Sequence, residues 1–166
     1  MKKCIIPGSY DPVTRGHIDL FKCASQLFDV VYPVILCNSE KKSGMFTSCE
    51  RLEIMNSACE KLKDEGIGNV IPVTYEGLTT DSALALGADY IVKGVRNSTD
   101  FTYEYDLAEI SRRFCPKIQT IFIPSKPDTA HISSTYVREL IKYGHFKSED
   151  FADGTADVIM SIIKKR

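Results

Sequence analysis

The sequence predicts an α/β fold: a five-stranded parallel sheet with helices on both faces. Short apolar runs of strand length alternate with longer stretches of helical periodicity along the whole chain. That alternation favours parallel strands joined by crossover helices. Polar clusters follow the strands, at residues 8–17, 38–42, 77–80, 93–96 and 124–135. In a parallel sheet such clusters gather beyond the strand C-termini, where ligands bind. No repeat, low-complexity tract or linker interrupts the 166 residues, so residues 1–166 read as a single domain.

Cys4 to Ile6 is the first strand, stopped by Pro7 and Gly8. Thr14 is placed to N-cap the first helix, whose apolar face recurs at Ile18, Phe21, Ala24 and Leu27/Phe28. Asp29 to Leu36 is the second strand, and Pro33 within it points to an edge or a bulge. Asn38 to Phe46 is loop-like. Thr47-Ser48-Cys49-Glu50 has capping-box spacing and opens a helix with a stripe of Leu52, Met55, Cys59 and Leu62, ended by Gly66 and Gly68. Val70 to Tyr75 is the third strand, and a short helix from Ser82 to Leu86 stops at Gly87. Ala88 to Val92 is the fourth strand. A long helix from Phe101 to Phe114 is closed by Pro116, and Ile118 to Ile123 is the fifth strand. The next helix begins at residues 132–135, carries Val137, Leu140 and Ile141 on one face and ends at Gly144; a last helix covers Ser148 to Lys164.

Composition narrows the class. With 43% apolar and 26% charged residues the chain is an ordinary globular one. Its 21 basic and 22 acidic residues leave a net charge of −1, which points away from a dedicated nucleic-acid binder. No apolar run approaches the roughly eighteen residues of a membrane span. Pro7 and Asp11 interrupt any signal-peptide core, so no secretory leader is expected. The six cysteines form no C-x-x-C pair and read as reduced core thiols of a cytoplasmic protein. The three histidines show no zinc-ligand spacing with them, and no protein-held metal site is expected.

The first twenty residues carry the sharpest chemistry. A strand feeds a glycine-containing loop and then a helix start, where unpaired backbone N–H groups and the helix dipole favour phosphate. His17 lies in the first turn of that helix, within reach of the same phosphate. Neither G-x-x-x-x-G-K-[ST] nor G-x-G-x-x-G occurs, so the chain is neither a P-loop NTPase nor a standard dinucleotide binder. Thr14-x-Gly16-His17 stands in their place.

That motif, following a first strand, resembles the T/H-x-G-H nucleotidyltransferase superfamily. Four ordered blocks extend the resemblance to bacterial phosphopantetheine adenylyltransferases: residues 7–19 (PGSYDPVTRGHID), residues 45–51 (MFTSCER), residues 93–104 (KGVRNSTDFTYE) and residues 132–139 (ISSTYVRE). The resemblance implies a Rossmann-like sheet and transfer of the adenylyl group of ATP to 4′-phosphopantetheine, with Mg2+ assisting. It implies a homohexamer with no nucleic-acid or membrane partner.

Site roles follow from the same resemblance. His17, Lys41 and Arg96 are implied as catalytic, His17 by donating to the α-phosphate. ATP would be held by Ser9, Tyr10 and His17, by Gly94, Val95 and Arg96, by Glu104, and by the run Thr129, Ala130, His131, Ile132, Ser133, Ser134 and Thr135. The acceptor would be held by Ser9, Lys41, Thr79 and Lys93. Lys93 stands where the family carries arginine; it keeps the charge and loses the bidentate fork. Thr14 doubles as N-cap and phosphate support, and Arg138 reads as a helix-face cation. Relatives in the superfamily acting on nicotinamide mononucleotide or glycerol phosphate are the nearest rivals, and a non-catalytic nucleotide sensor is the rival of a different class.

Overall fold

The computed structural model describes residues 1–37, 44–129 and 131–166. Lys41 and Ala130, both expected in the site, lie outside the described residues. Five parallel strands are ordered β3-β2-β1-β4-β5: β1 is Lys3–Gly8, β2 Val30–Cys37, β3 Val73–Glu76, β4 Tyr90–Val95 and β5 Gln119–Pro124. The helices are α1 (Arg15–Ser25), α2 (Ser48–Asp64), α3 (Thr79–Leu86), α4 (Ser98–Phe114), α5 (Ser134–Tyr143) and α6 (Ala156–Lys164). No helix among the described residues is long and apolar enough to cross a membrane.

Burial on both faces explains why the strands read as continuous apolar runs. Cys4 and Ile6 of β1, with Val31 and Ile35 of β2, join Phe21 and Ala24 of α1, Met55 and Leu62 of α2, Val137 of α5 and Ile159 of α6 in one core. The alternate residues Ile5, Val34 and Ile91 pack on Ala83 of α3 and on Cys115 and Ile118 on the other face. That second layer is thinner. No residue of α4 is fully buried, and Leu84, Ile110 and Phe114 are more than half exposed or close to it.

Several boundaries differ from expectation for physical reasons. β1 runs through Pro7 and Gly8, because beyond Ile5 it pairs with β2 alone and a missing N–H there costs little. Pro33 sits in an interior strand. Val31 donates to Asn69 O and accepts from Ile71 N, so by the two-residue period Pro33 faces the same neighbour, at the gap between Ile71 and Val73 where that ladder is broken. Helix α1 stops at Ser25, leaving Leu27 57% exposed while Phe28 turns inward. α3 begins at Thr79, and α4 begins at Ser98 because Asn97 caps it, accepting from Asp100 N. The single last helix is instead a 3-10 turn, Ser148–Asp150, followed by α6. Gly154 takes a left-handed φ of +81° between them, and its carbonyl accepts from Ser57 Oγ at 2.6 Å.

Truncating the fully buried Ile54 to alanine should cost about 2–5 kcal/mol in a urea unfolding titration, while Glu53→Ala on the exposed side of α2 should stay within about 0.5 kcal/mol. Equal effects at the two positions would contradict the packing described.

Candidate active site

The order β3-β2-β1-β4-β5 reverses direction between β1 and β4, and these strands pair only at Cys4–Tyr90 and Ile5–Ile91. Past that point they diverge. A cavity of about 350 Å³ opens there, floored by Ile6 to Gly8 of β1 and Val92 to Gly94 of β4. Such a switch point is where open parallel sheets bind ligands.

His17 is at the third position of α1. Its Nδ1 lies 3.0 Å from the Thr14 backbone N–H and 3.0 Å from Thr14 Oγ1. An amide N–H can only donate, so Nδ1 accepts and the ring proton belongs on Nε2. The ring thus fills the place a glutamate takes in a capping box. Burial, with the nearby Arg96 charge adding to it, pushes the imidazole down to a pKa of about 4. His17 is therefore a neutral Nε2–H donor on the cavity wall. Tyr10 supports it edge-on, with ring centroids 4.9 Å apart. Tyr10 lines the cavity but is only 2% exposed, and its hydroxyl donates inward to Ile6 O at 2.6 Å.

The cations arrive from β4 and its exit. Lys93 Nζ is 2.9 Å from Glu104 Oε2, a buried oxygen that has no aligned hydrogen-bond donor among the described residues. Arg96 Nε and Nη2 both reach Asp100 at 3.3 Å, leaving the Nη1 edge outside this pair. Burial would raise the Asp100 carboxyl, but hydrogen bonds and charge from Arg96, with the charge of Lys93, outweigh it and hold the carboxyl below its ordinary value.

The run at the start of α5 divides its labour. Ser133 caps the helix, accepting from Tyr136 N at 3.1 Å. Ser134 Oγ donates to Pro12 O at 2.8 Å, and Thr135 Oγ1 accepts from Arg138 Nη2 at 3.0 Å. The Ser134 proton is used inside the protein, whereas the Ser133 and Thr135 hydroxyls only accept and keep a proton to donate, so this helix start offers a phosphate those two hydroxyls beside its backbone N–H groups.

Ser9, Gly94, Glu104, Thr129 and Ile132 also line this cavity. Val95 and His131 do not: Val95 pairs with β5, and its carbonyl accepts from Ser125 N, while His131 is exposed. Thr79, first residue of α3, lines a second cavity of about 190 Å³ that shares Lys93 and Glu104 with the first. Two carboxylates missed at the sequence level tie the site together. Asp19 accepts from Thr129 Oγ1 at 2.8 Å and lies 3.4 Å from Lys126 Nζ, tying both residues to α1. The other is Asp11, bonded to Arg51 and Arg138. Only long-range pairing reveals these roles, although the residue letters fall inside the motif blocks. No group of three His, Cys, Asp or Glu side chains able to hold a metal occurs among the described residues.

This arrangement, a neutral histidine donor among cations and helix starts, suits a reaction on phosphate. The cytidylyltransferase-like family model matches residues 5–140, and the chain belongs to that family. Its curated relatives narrow the assignment. The phosphopantetheine adenylyltransferase of Flavobacterium psychrophilum is 44% identical over 144 residues, covering 87% of this chain and 91% of the relative. That of Corynebacterium diphtheriae is 35% identical over 164 residues, 99% of each chain. Within the nucleotidyltransferases, the chain is a member of the phosphopantetheine adenylyltransferase family. A bifunctional NMN adenylyltransferase/ADP ribose pyrophosphatase from Francisella tularensis shares the fold, with a TM-score of 0.73 at 16% identity over 98% of this chain and 50% of that one.

His17 takes up its proton near pH 4 when folded and near its ordinary 6.5 when unfolded. Between these values the unfolded chain binds the proton better. The histidine's contribution to stability is therefore complete above pH 6.5 and is lost as pH falls towards about 4. Thermal melts across that window should show a smaller fall for His17→Gln, whose side-chain oxygen can accept from Thr14 N–H. Equal falls for the two proteins would contradict the half-buried neutral ring.

Proposed function

We propose that this cavity transfers the adenylyl group of ATP to 4′-phosphopantetheine, giving dephospho-coenzyme A and pyrophosphate. The observation that carries the reading is His17, neutral and held by Thr14 so that Nε2–H is its donor. An oxygen of the acceptor phosphate attacks the α-phosphorus of ATP in line. The new P–O bond forms as the bond from the α-phosphorus to the departing pyrophosphate oxygen breaks. The acceptor phosphate is already an anion, so no general base is required, and catalysis is positioning with charge stabilisation.

In this reading His17 Nε2–H donates to an α-phosphate oxygen as charge grows there. Arg96, through its Nη1 edge, and the N–H groups at the start of α5 hold the remaining ATP phosphates. Gly94, Glu104, Thr129 and Ile132 form the nucleotide wall, with Val95 and His131 contributing from outside the cavity lining, and Glu104 holds Lys93 beside it. Ser9, Lys41 and Lys93 take the acceptor phosphate, while Thr79 and the second cavity take the pantetheine arm. Lys93 must then exchange Glu104 for phosphate, as a point charge in place of a fork.

Mg2+ fits as an ion held by the nucleotide's own phosphates and water, given the lack of a three-ligand cluster among the described residues. It would offset phosphate charge. The chain would act as one domain in the cytoplasm and assemble as a homohexamer, with the exposed apolar residues Leu84, Ile110 and Phe114 of α3 and α4 available for burial between copies.

A pyrophosphate-release assay with ATP, Mg2+ and a panel of acceptors tests the assignment. Turnover is expected with phosphopantetheine, and turnover confined to nicotinamide mononucleotide or glycerol phosphate would overturn it. His17→Ala should lower kcat by about 10²-fold or more. Unchanged turnover would reduce His17 to a structural residue.

A further inference from the structure

Asp11 is buried at 5% exposure and does not line the cavity, yet its carboxylate accepts two backbone hydrogen bonds and lies between two arginines. Oδ2 accepts from Met45 N at 2.9 Å and Oδ1 from Phe46 N at 2.8 Å. Arg51 Nε lies 3.3 Å from Oδ1, and Arg138 Nη1 lies 3.8 Å from Oδ2 while donating to the Asp11 carbonyl at 2.6 Å. Each arginine also reaches one edge of the cavity. Arg51 Nη1 donates to Ser9 O at 3.2 Å, and Arg138 Nη2 donates to Thr135 Oγ1 at 3.0 Å. The segment around Gly44 is pressed against this cluster, since a Cβ there would fall 1.9 Å from Arg51 Nη2 and 3.1 Å from Asp11 Oδ2.

We propose that Asp11, Arg51 and Arg138 form a positioning network that fixes the separation between the Ser9 edge and the Thr135 edge of the cavity. The proposal rests on the adenylyl-transfer reading, in which Ser9 faces the acceptor phosphate and the start of α5 faces ATP. Its physical basis is direction. Apolar packing would bury these segments as well, whereas each planar guanidinium donates in fixed directions to two points, Arg51 to Phe46 O and Ser9 O and Arg138 to Asp11 O and Thr135 Oγ1, and so dictates where each segment stands. In-line transfer is sensitive to that distance, and a displacement of about 1 Å can cost about 10²-fold in rate. None of the three residues donates or accepts a proton in the reaction. They act through Ser9 and Thr135.

The test is a comparison of kinetic constants for Asp11→Asn, Arg51→Ala, Arg51→Lys, Arg138→Ala and Arg138→Lys, all assayed well below their melting temperatures. Asp11→Asn keeps the shape but sets an amide N–H against a backbone N–H, and should lower kcat by about tenfold or more. Arg51→Ala should raise KM for phosphopantetheine more than for ATP, and Arg138→Ala the reverse. Lysine should rescue each only in part, because one ammonium cannot span two segments in fixed planar geometry. The Arg51→Ala/Arg138→Ala double variant should lose less than the product of the single losses. Lowered melting temperatures with kcat and both KM values unchanged would overturn the network, as would full rescue by lysine. Should Asp11→Asn fail to fold, the two lysine variants decide. Wild-type turnover of phosphopantetheine is measured first: its absence defeats the adenylyl-transfer reading, whereas an active wild type with unaltered variants defeats only the network.

Discussion

The hydrogen bond from the Thr14 amide to Nδ1 of His17 is the constraint on which the rest of the site depends. An extended Thr14 at φ −123° turns its N–H towards the first helical turn, and the third helical residue answers it. That bond leaves Nε2 to carry the proton. Burial then keeps the ring uncharged, and Arg96 makes a second positive charge there still less favourable. A histidine of this kind donates one directed hydrogen bond and brings no net charge. Positive charge comes from Lys93 and Arg96 at the end of β4, each paired with a carboxylate.

The sheet turns that local bond into a site. Because β1 and β4 separate after two paired positions, the loops that follow them face one another across an opening. α1 starts on one side of it. Thr129 and Lys126 are drawn to α1 by Asp19. α5 is drawn in by Ser134 on Pro12 and by Arg138 on Asp11. The N-termini of helices thus converge by side-chain bonds between segments more than a hundred residues apart in sequence. The face covered by α3 and α4 is organised differently, with a second cavity and bulky apolar side chains left at the surface.

What could be read in advance follows the range of the interactions. Short apolar runs and helical periodicity are local, and they give five strands in parallel and helices on both faces. The Thr14-x-Gly16-His17 spacing is local too, and it places the histidine where the structure has it. Context set the boundaries: Pro7 is tolerated in β1 because β4 has already left, and Gly154 breaks the last helix because Ser57 of α2 holds its carbonyl. Arg138 reads as a plain helix-face cation until Asp11, 127 positions away, is seen beneath it. Tyr10, expected at the ATP site, lines the cavity, and only the structure shows that its hydroxyl is buried on Ile6 O and its ring braces His17 edge-on. Alternation along the chain carries no sign of such partners.

The protonation and tautomer of His17, read by nitrogen NMR on the imidazole of the whole protein, test the central claim most directly. The account predicts a neutral ring with the proton on Nε2 and an unprotonated Nδ1, persisting as pH is lowered until about 4. A ring protonated on Nδ1, or one that becomes an imidazolium near its ordinary value of 6.5, would contradict it.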